Sequence, residues 1–437
     1  ARSLLRSVYR CNASWTARSS PEYDTSMGSR TRFGKRDEPS QSGGSSAFMR
    51  RTMMALNCFE SGGVPSSGEF QPSSLRLGDG NIMFTPTVTL GLGYNDNLTL
   101  APSNTQGSSF VSVAPSLMLN AQYGVSKYSL GYRAEAVHYS SYSDYNYENQ
   151  EVAASGAHDL DTRFAFNWRA SYQNQYDPVG STDVSTSNKP DRYQASNFIA
   201  AGRYGAKEAQ GNVEGEVGYY DKKYLNHRAS TLGSDYTSLN VVGRFLYRVG
   251  PKTQALAEYR HTDFDYSLNT TNQDNTEQRL LVGARWEATA ATSGEFKVGY
   301  LSKDYNRVRK DFHGSTWEGG LKWQPLTYST FALTSGRGAS DATGTTAQYI
   351  TNNFVGLTWD HNWRSYFSTR VGLTFSDTNY VGGNREDRTN ELMLGASYVV
   401  SRWSRVTGEY HYAKRNSDDN NYDYDRNLMT VKLDLAF

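Results

Sequence analysis

The stretch "NLMTVKLDLAF", residues 427–437, alternates between apolar and polar side chains along most of its length. One set of alternate positions is apolar, namely Met429, Val431, Leu433, Leu435 and Phe437, and the intervening set is Thr430, Lys432, Asp434 and Ala436. Successive side chains of a β-strand point to opposite faces. The pattern therefore predicts a strand with one apolar face and one polar face.

The same period of two recurs from about residue 82 to residue 437. We count eighteen such segments, at about 82–94, 108–123, 127–140, 150–159, 162–176, 192–204, 209–222, 235–248, 253–266, 277–288, 294–305, 315–323, 328–336, 347–359, 365–376, 389–400, 405–414 and 426–437. They predict an all-β fold, a single transmembrane antiparallel up-and-down β-barrel of about 18 strands over residues 81–437. Residues 1–80 are rich in Ser, Gly and Arg, and we interpret them as a disordered or periplasmic arm, as non-native residues or as a plug.

The connections between these segments alternate in length. Short ones are "GVSK" (124–127), "GAKE" (205–208), "GPK" (250–252), "QPL" (324–326), "HNWR" (361–364) and "SRWS" (401–404). Long polar ones include "DPVGSTDVSTSNKPD" (177–191), "SLNTTNQDNT" (267–276) and "NSDDNNYDYD" (416–425). Short turns on one rim and long loops on the other are typical of a bacterial outer-membrane barrel, with both termini in the periplasm.

Charges and apolar residues occupy opposite faces of each predicted strand. In segment 277–288, Leu280, Val282, Ala284 and Trp286 share one face, and Glu277, Arg279, Arg285 and Glu287 share the other. A soluble barrel would turn the apolar face inward, whereas a membrane requires the reverse because hydrocarbon cannot solvate charge.

Three features favour the membrane arrangement. Aromatic residues cluster at the ends of the apolar stripes, as interfacial girdles require: Tyr94, Tyr123, Tyr128, Tyr172, Tyr204, Tyr247, Trp317, Trp323, Trp359, Tyr398 and Tyr410. Eighteen strands about 4.8 Å apart and tilted by about 40° enclose a cylinder roughly 35 Å across, which side chains cannot fill as a core. Closure also leaves no strand edge facing hydrocarbon.

Composition excludes several classes of function. With 45 basic and 44 acidic residues, the net charge of +1 gives no electrostatic case for a nucleic-acid partner. The two cysteines, Cys11 and Cys58, lie outside the patterned region, so they support neither a disulfide framework nor a metal site there. The sequence contains no run of 18 apolar residues that would predict a membrane-spanning helix. The seven histidines show no metal-ligand spacing and no catalytic motif occurs, so we expect no enzyme activity, metal site or cofactor.

Two stretches carry a family resemblance. "FTPTVTLGLGYNDNLTLAPSN" (84–104) and "SFVSVAPSLMLNAQYGVSKYSLGYRAEAVHYSSYSDYN" (109–146) combine a "GYNDN" strand end with a Pro-containing strand and a Tyr-rich strand. The chain resembles β-barrel porin family 2 of Gram-negative outer membranes over about residues 75–437. Family members are often encoded beside exopolysaccharide or capsule synthesis functions, so the resemblance implies polysaccharide export. Phe437 also looks like the C-terminal signal that the barrel assembly machinery reads.

If the polar positions face the lumen, charged side chains line the pore. The candidates are Arg133, Glu135, Arg163, Arg169, Arg203, Glu214, Glu216, Arg244, Arg248, Glu258, Arg260, Arg279, Arg285, Glu287, Lys297, Lys322, Arg370, Glu409 and Lys432, and further charges of this parity are Lys303, Arg405, Glu295, Glu318, Glu391 and Asp434. Basic residues are in mild excess, which favours an anionic sugar polymer or a small anion because Arg grips carboxylate and phosphate groups. Alternatively, these charges pair across adjacent strands and brace the wall.

Three functions remain open at this stage. The leading hypothesis is a channel that passes or assists the export of a polysaccharide, with tyrosines such as Tyr139, Tyr142, Tyr145, Tyr147 and Tyr266 available to stack on sugar rings. The second is a general or anion-preferring diffusion porin for small solutes, and the third is a structural or surface-interaction barrel without transport. The expected partners are outer-membrane lipid and lipopolysaccharide, the barrel assembly machinery and periplasmic polysaccharide export proteins.

Overall fold

A computed structural model describes residues 74–78, 81–180, 189–206, 208–268, 273–289, 291–306, 308–343 and 347–437. Over these residues the chain forms nineteen strands of one sheet. The strands are β1 (Leu75–Leu77), β2 (Ile82–Asn95), β3 (Ser108–Tyr123), β4 (Ser126–Tyr139), β5 (Tyr147–Asp159), β6 (Phe164–Asp177), β7 (Asp191–Tyr204), β8 (Gly211–Tyr224), β9 (Tyr236–Gly250), β10 (Thr253–Tyr266), β11 (Asn275–Thr289), β12 (Thr292–Tyr305), β13 (Phe312–Leu326), β14 (Ser329–Asp341), β15 (Tyr349–Arg364), β16 (Phe367–Val381), β17 (Arg385–Ser401), β18 (Ser404–Ser417) and β19 (Tyr424–Ala436). Among the described residues, no helix has the length and apolar character to cross a membrane.

Strands β2 to β19 form a closed antiparallel barrel. Each strand pairs with the next in sequence, and β19 pairs with β2 from Leu428↔Asn95 to Ala436↔Thr87. Closure gives the backbone donors and acceptors of both end strands a partner. The prediction of an 18-stranded up-and-down barrel is thus confirmed.

The nineteenth strand, β1, lies within the region that we assigned to the N-terminal arm. It pairs with the start of β2, from Leu75↔Phe84 to Leu77↔Ile82. These β2 residues precede Thr87, where pairing with β19 stops, so β1 continues the ladder beyond the end of β19. Ordered structure therefore begins before residue 81, while the remainder of the assigned arm, residues 1–73, and residues 79 and 80 lie outside the described residues.

Side-chain exposure distinguishes the two faces of the wall. On β11, Leu280 and Val282 are 62% and 55% exposed, whereas Arg279 and Arg285 are 4% and 6% exposed. The outer surface carries exposed large apolar residues on every barrel strand from β2 to β19 except β18, and its aromatic members gather at two levels. Tyr123, Tyr128, Tyr204, Tyr247, Trp323, Tyr328, Trp363, Tyr366, Tyr398 and Trp403 lie near the short connections, and Tyr94, Tyr172, Tyr219, Tyr259 and Tyr300 lie towards the long ones. This is the arrangement that a lipid-facing surface requires.

The connections define two rims. The short rim carries Gly124–Val125, Pro251–Lys252, Thr327–Tyr328, Ser365–Tyr366 and Arg402–Trp403, and the long rim carries 96–107, 140–146, 178–190, 225–235, 267–274, 306–311 and 418–423. Two predicted connections, "QPL" and "HNWR", lie wholly within β13 and β15, and part of each of "GVSK", "GPK" and "SRWS" also belongs to a strand. The turns are tighter than the sequence pattern indicated, so the strands run further.

Phe437 lies at the short rim, on the outer face. It follows β19 at the parity of Met429 and Val431, its side chain is 56% exposed, and its backbone N–H donates to the carbonyl oxygen of Pro86 (3.2 Å). The aromatic ring thus lies at the seam between β19 and β2.

Candidate pore lining

A network of ion pairs covers the inner wall from β8 to β14. We call it the ionic network, and its members are the cations Arg244, Arg260, Arg279, Arg285, Lys297 and Lys303 and the anions Glu214, Glu258, Glu277, Glu295, Glu318 and Asp341. The two sets are equal in number, so the network has no formal net charge.

Strand register brings these side chains together. Arg244 lies opposite Glu214 on one side and Glu258 on the other, and Lys297 lies opposite Glu318. Opposite charges at directly paired positions stabilise a sheet. The two-residue period thus places each charge on the inner face, and the register decides which charges meet.

The centre of the network is Glu258, whose residue is 1% exposed. Its carboxylate accepts from Arg244 Nε (2.7 Å), from an Arg260 guanidinium nitrogen (2.5 Å) and from Lys297 Nζ (3.1 Å). A carboxylate buried to this extent is tolerated only when it is paired and hydrogen-bonded.

Glu318 joins the far side of the network. It contacts Arg260 (3.0 Å), Arg279 (2.9 Å) and Lys297 (2.9 Å), which come from three different strands. Arg260 and Arg279 lie opposite each other in the register, and the shared carboxylate offsets the repulsion of this like-charged pair. The wall is therefore braced across β10 to β13.

Two glycines allow the backbones beneath the network to approach closely. A Cβ at Gly283 would overlap the carbonyl oxygen of Phe296, and a Cβ at Gly299 would overlap that of Leu280. Glycine is the residue that permits such contact between neighbouring strands. The pair β11–β12 thus depends on glycine at these inward positions.

The remaining wall carries smaller ionic groups. Lys432 contacts Glu409 (2.7 Å), and Arg370 donates to Asp360 (2.6 Å). Arg405 and Asp434 form a close pair (2.6 Å). Longer pairs join Arg169 to Glu151 (3.9 Å) and Arg248 to Glu208 (3.4 Å). The other predicted positions, Arg133, Glu135, Arg203, Glu216, Glu287 and Lys322, lie on strands at the parity opposite to the exposed apolar side chains.

Arg163 does not lie on the wall. It is an exposed residue of the connection 160–163 at the short rim. Asp161 accepts the backbone N–H groups of Arg163 and Phe164 (2.6 Å each), which forms a tight turn and delays the start of β6 to Phe164. These two bonds lower the pKa of the Asp161 carboxyl. The placement of Arg163 in a strand was therefore wrong.

Sequence reasoning missed several acidic partners, among them Glu151, Asp360, Asp341 and Glu208. Glu151 and Asp360 have the inward parity, but Asp360 follows residue 359, where we ended its strand, and β15 continues to Arg364. Asp341 lies five residues beyond the predicted end of β14 at residue 336. A longer β15 would have included Asp360, whereas Asp341 has the outward parity of β14 and would still have been missed.

Aromatic side chains form a second inner feature, near the long rim. Inward or loop-borne rings there include Phe110, Tyr139, Tyr147, Tyr193, Tyr220, Tyr224, Tyr236, Tyr266, Tyr305, Phe312, Tyr380 and Tyr424. Several contact one another, such as Phe110 with Tyr139 (centroids 5.6 Å apart) and Tyr236 with Tyr266 (5.3 Å). Rings at these spacings stabilise each other in edge-on or tilted arrangements.

One part of this aromatic region is a shallow cleft that is open to solvent. Its lining consists of Leu98, Tyr139, Tyr145, Tyr147, Asn149, Tyr176, Pro178, Val179 and Pro190. Burial, aided by the neighbouring Asp144 and Tyr142, raises the pKa of the Tyr145 hydroxyl. Three of the five tyrosines that we predicted as sugar-stacking candidates line this cleft, whereas Tyr266 is buried and Tyr142 is exposed outside it.

Three side chains near the long rim have metal-ligand chemistry. One ligand atom from each of Asp304, Asp311 and His313 lies within 4.8 Å of the others. Asp311 already accepts the backbone N–H of Tyr305, and Asp304 accepts from Ser302. Exposed acidic groups gather in this way without a metal, so the expectation of no metal site stays a prediction.

Solved structures similar to this chain are outer-membrane barrels of low sequence identity. Pseudomonas aeruginosa OccK1 (OpdK) is 10% identical with a TM-score of 0.46, over 80% of this chain and 98% of that one. The Neisseria meningitidis FrpB iron transporter is 10% identical with a TM-score of 0.45, over 76% of this chain, which spans only 62% of the transporter. Acinetobacter baumannii OccAB2 is 13% identical with a TM-score of 0.43, over 80% and 97%. No curated protein matches the chain.

A family model covers most of the chain. The model described as "Putative beta-barrel porin 2" matches residues 70–437, which include all nineteen strands. The match agrees with the resemblance that the first three barrel strands carry. With its closed barrel and apolar outer face, the chain belongs to this family of outer-membrane β-barrel porins.

Proposed function

We propose that the barrel passes a polysaccharide through the outer membrane or assists its export. The observation that carries this proposal is the cleft at the long rim, where Tyr139, Tyr147 and Tyr176 surround a polar amide, Asn149. Sugar rings have apolar C–H faces and hydroxyl edges, so they suit a cleft of aromatic walls with a few polar groups. The family resemblance in the first strands supports the same cargo.

The ionic network supports only a weak preference between charged solutes. Its cations are matched by equal numbers of carboxylates, so they present little net field to a passing solute. A neutral or weakly anionic polymer fits this wall better than a strongly charged one. The same neutrality favours the second candidate, a general diffusion porin for small solutes.

Orientation and partners follow from the same proposal. Short turns face the periplasm in barrels of this type, which places β1 and Phe437 there and the tyrosine cleft outside the cell. Polymer would then arrive from periplasmic export proteins at the short rim. The aromatic belts would contact outer-membrane lipid and lipopolysaccharide, and Phe437 would be presented to the barrel assembly machinery.

Single-channel recording in planar bilayers tests the proposal. The purified full chain should give a steady current that a neutral glucan or a uronate oligomer interrupts when it is added on the long-rim side. Tyr147→Ala should shorten these interruptions by roughly two- to thirteen-fold, because one aromatic contact contributes about 0.5–1.5 kcal/mol. Tyr142→Ala is the matched control, since Tyr142 lies in the adjacent connection, residues 140–146, but outside the cleft.

The outcomes separate the three functions. Steady current that neither oligomer interrupts would favour the diffusion porin and overturn the polysaccharide proposal. A barrel that never conducts, with or without oligomer, would favour the structural or surface-interaction role.

A further inference from the structure

The outer end of β14 separates from β13, while β15 stays paired with β16 up to Tyr349↔Val381. Pairing between β13 and β14 stops at Trp317↔Arg337, although β13 begins at Phe312 and β14 continues to Asp341. The hairpin itself stays intact, because β14 and β15 pair up to Asp341↔Tyr349. We call this hairpin end, residues 338–342 and 347–350, the flap.

Asp341 shows where the flap goes. Its carboxylate accepts from Tyr266 Oη (2.7 Å), Tyr305 Oη (2.8 Å) and Asn275 Nδ2 (3.0 Å), and lies 3.1 Å from Lys303 Nζ. Tyr266 belongs to β10, four strands away, which is about 19 Å along the wall at the usual strand spacing. A carboxylate cannot reach so far along the wall, so the flap lies over the inner face of β10 to β12.

The packing of the flap agrees with this position. Ala339 and Tyr349 have the parity that faces outward lower on β14 and β15, yet they pack with Leu301, Tyr305 and Phe312. The ring of Tyr349 lies 5.4 Å from that of Phe312. The outer side of the flap therefore covers the inner side of the wall, as one sheet packs on another.

A further contact holds the tip of the flap. Arg309, from the connection between β12 and β13, donates to the carbonyl oxygens of Ala342 (3.2 Å), Ala347 (3.4 Å) and Gln348 (2.9 Å). Gln273, from the connection between β10 and β11, donates to the Ala342 oxygen as well (3.1 Å). Bonds from two connections fix the flap against the wall.

We propose that the flap narrows the outer mouth of the pore and sets the largest solute that enters, with Asp341 as the residue that holds it. Packed sheets lie about 10 Å apart, so the flap reduces an opening of roughly 35 Å to roughly 25 Å in one direction. If the mouth limits the current, the current scales with the open area of the mouth. Narrowing the mouth from about 35 Å to about 25 Å in both directions would roughly halve that area, and this sets the upper bound of the effect on the current. The inference rests on the proposed function only in requiring that the lumen conducts.

Removal of the flap tests this inference. Gly338 lies opposite Asn352, so an Asn-Gly turn in place of residues 339–351 should close the shortened hairpin. We expect its single-channel current to rise by up to roughly two-fold and larger poly(ethylene glycol) molecules to enter. A matched control replaces residues 416–423 by Asn-Gly, which shortens the hairpin of β18 and β19 between the paired Arg415 and Tyr424.

A point substitution provides the second test. Asp341→Ala removes the four contacts and should give a current that fluctuates between the native and the larger level. Asp377→Ala is its control, because Asp377 is an acidic residue of β16 whose partner is the exposed Arg388 (3.8 Å). Heat-modifiable migration in gels shows that each variant is folded.

The two proposals fail in different ways. Unchanged current and an unchanged size limit in the folded flap deletion would overturn the inference, whatever the cargo. Absence of current in both the native chain and the deletion would instead count against the channel function and, with it, against a mouth that selects solutes.

Discussion

Glu258→Gln is the substitution that tests the ionic network most directly. It keeps the shape of the side chain and removes one negative charge from a site that contacts Arg244, Arg260 and Lys297. Each of these cations keeps another carboxylate, since Arg244 contacts Glu214 and the other two contact Glu318. We therefore expect a weakened wall that still folds.

The expected size of the loss follows from these contacts. At an effective dielectric constant of about 20, each pair near 3 Å is worth roughly 5 kcal/mol before desolvation. Desolvation of the buried carboxylate costs several kcal/mol and offsets much of that sum. Removing one partner of a buried group typically costs 3–5 kcal/mol, and we expect about 3 kcal/mol here because every cation remains paired.

Two measurements check this prediction. Urea unfolding of the barrel from phospholipid vesicles should show the loss in the free energy of unfolding. The reversal potential in a salt gradient should move towards chloride, with a permeability ratio raised roughly two-fold, because the network gains one net positive charge. The control is Glu287→Gln, which removes the same charge from a half-exposed inward position outside the network.

One result would refute the reasoning. If Glu258→Gln changed neither the free energy of unfolding nor the selectivity relative to Glu287→Gln, the carboxylate would be hydrated in solution and the network would not brace the wall.

Three further predictions concern backbone and rim. Gly299→Ala should destabilise the barrel by about 2–4 kcal/mol in urea unfolding, because the new Cβ would overlap the Leu280 carbonyl oxygen. Phe437→Ala should slow barrel assembly in cells, seen as unfolded precursor in pulse-chase gels, without lowering the conductance of refolded protein. The Asp161 carboxyl should titrate below its ordinary value of 3.8, as carbon NMR would show, so the turn is stabilised above pH 4 and this stabilisation is lost as pH falls through the lowered pKa.

Controls separate these effects from general damage. Gly215→Ala is the control for Gly299→Ala, because nothing lies within 4 Å of a Cβ there. Leu435→Ala is the control for Phe437→Ala, as it shortens an outward side chain on the same strand. Equal effects in either pair, or an Asp161 pKa at or above 3.8, would contradict the corresponding prediction.

The sequence predicts the barrel because its governing signal is local. In segment 277–288 every second residue from Leu280 to Trp286 is apolar, and water and hydrocarbon each accept only one of the two faces. The number of strands follows from the number of alternating segments. The opposite environments of Leu280 and Arg279 follow from their adjacent positions in one such segment. The ends of strands are less well predicted. Beyond the membrane both faces of a strand contact water, so polar residues such as Asn362 and Arg364 occur there in strands as well as in turns.

Pairing within the wall depends on register, and the sequence pattern does not fix it. Parity predicts that Arg260 and Glu318 share a face, but not that a side chain of β10 reaches one of β13. That reach depends on how sharply the wall curves between β10 and β13, which is a property of several strands together.

The sequence by itself determines a membrane-facing, eighteen-stranded cylinder with ionic side chains inside. The reason is that alternate residues of a strand point to opposite faces, so alternating apolar and polar residues define an outer and an inner face. Only the tertiary structure decides that the ionic side chains between β8 and β14 form one neutral network, and that Ala339, Asp341 and Tyr349 cover the inner wall although their parity would turn them outward. The physical reason is that parity is a property of one strand, whereas curvature and the departure of β14 from β13 result from the packing of several strands together.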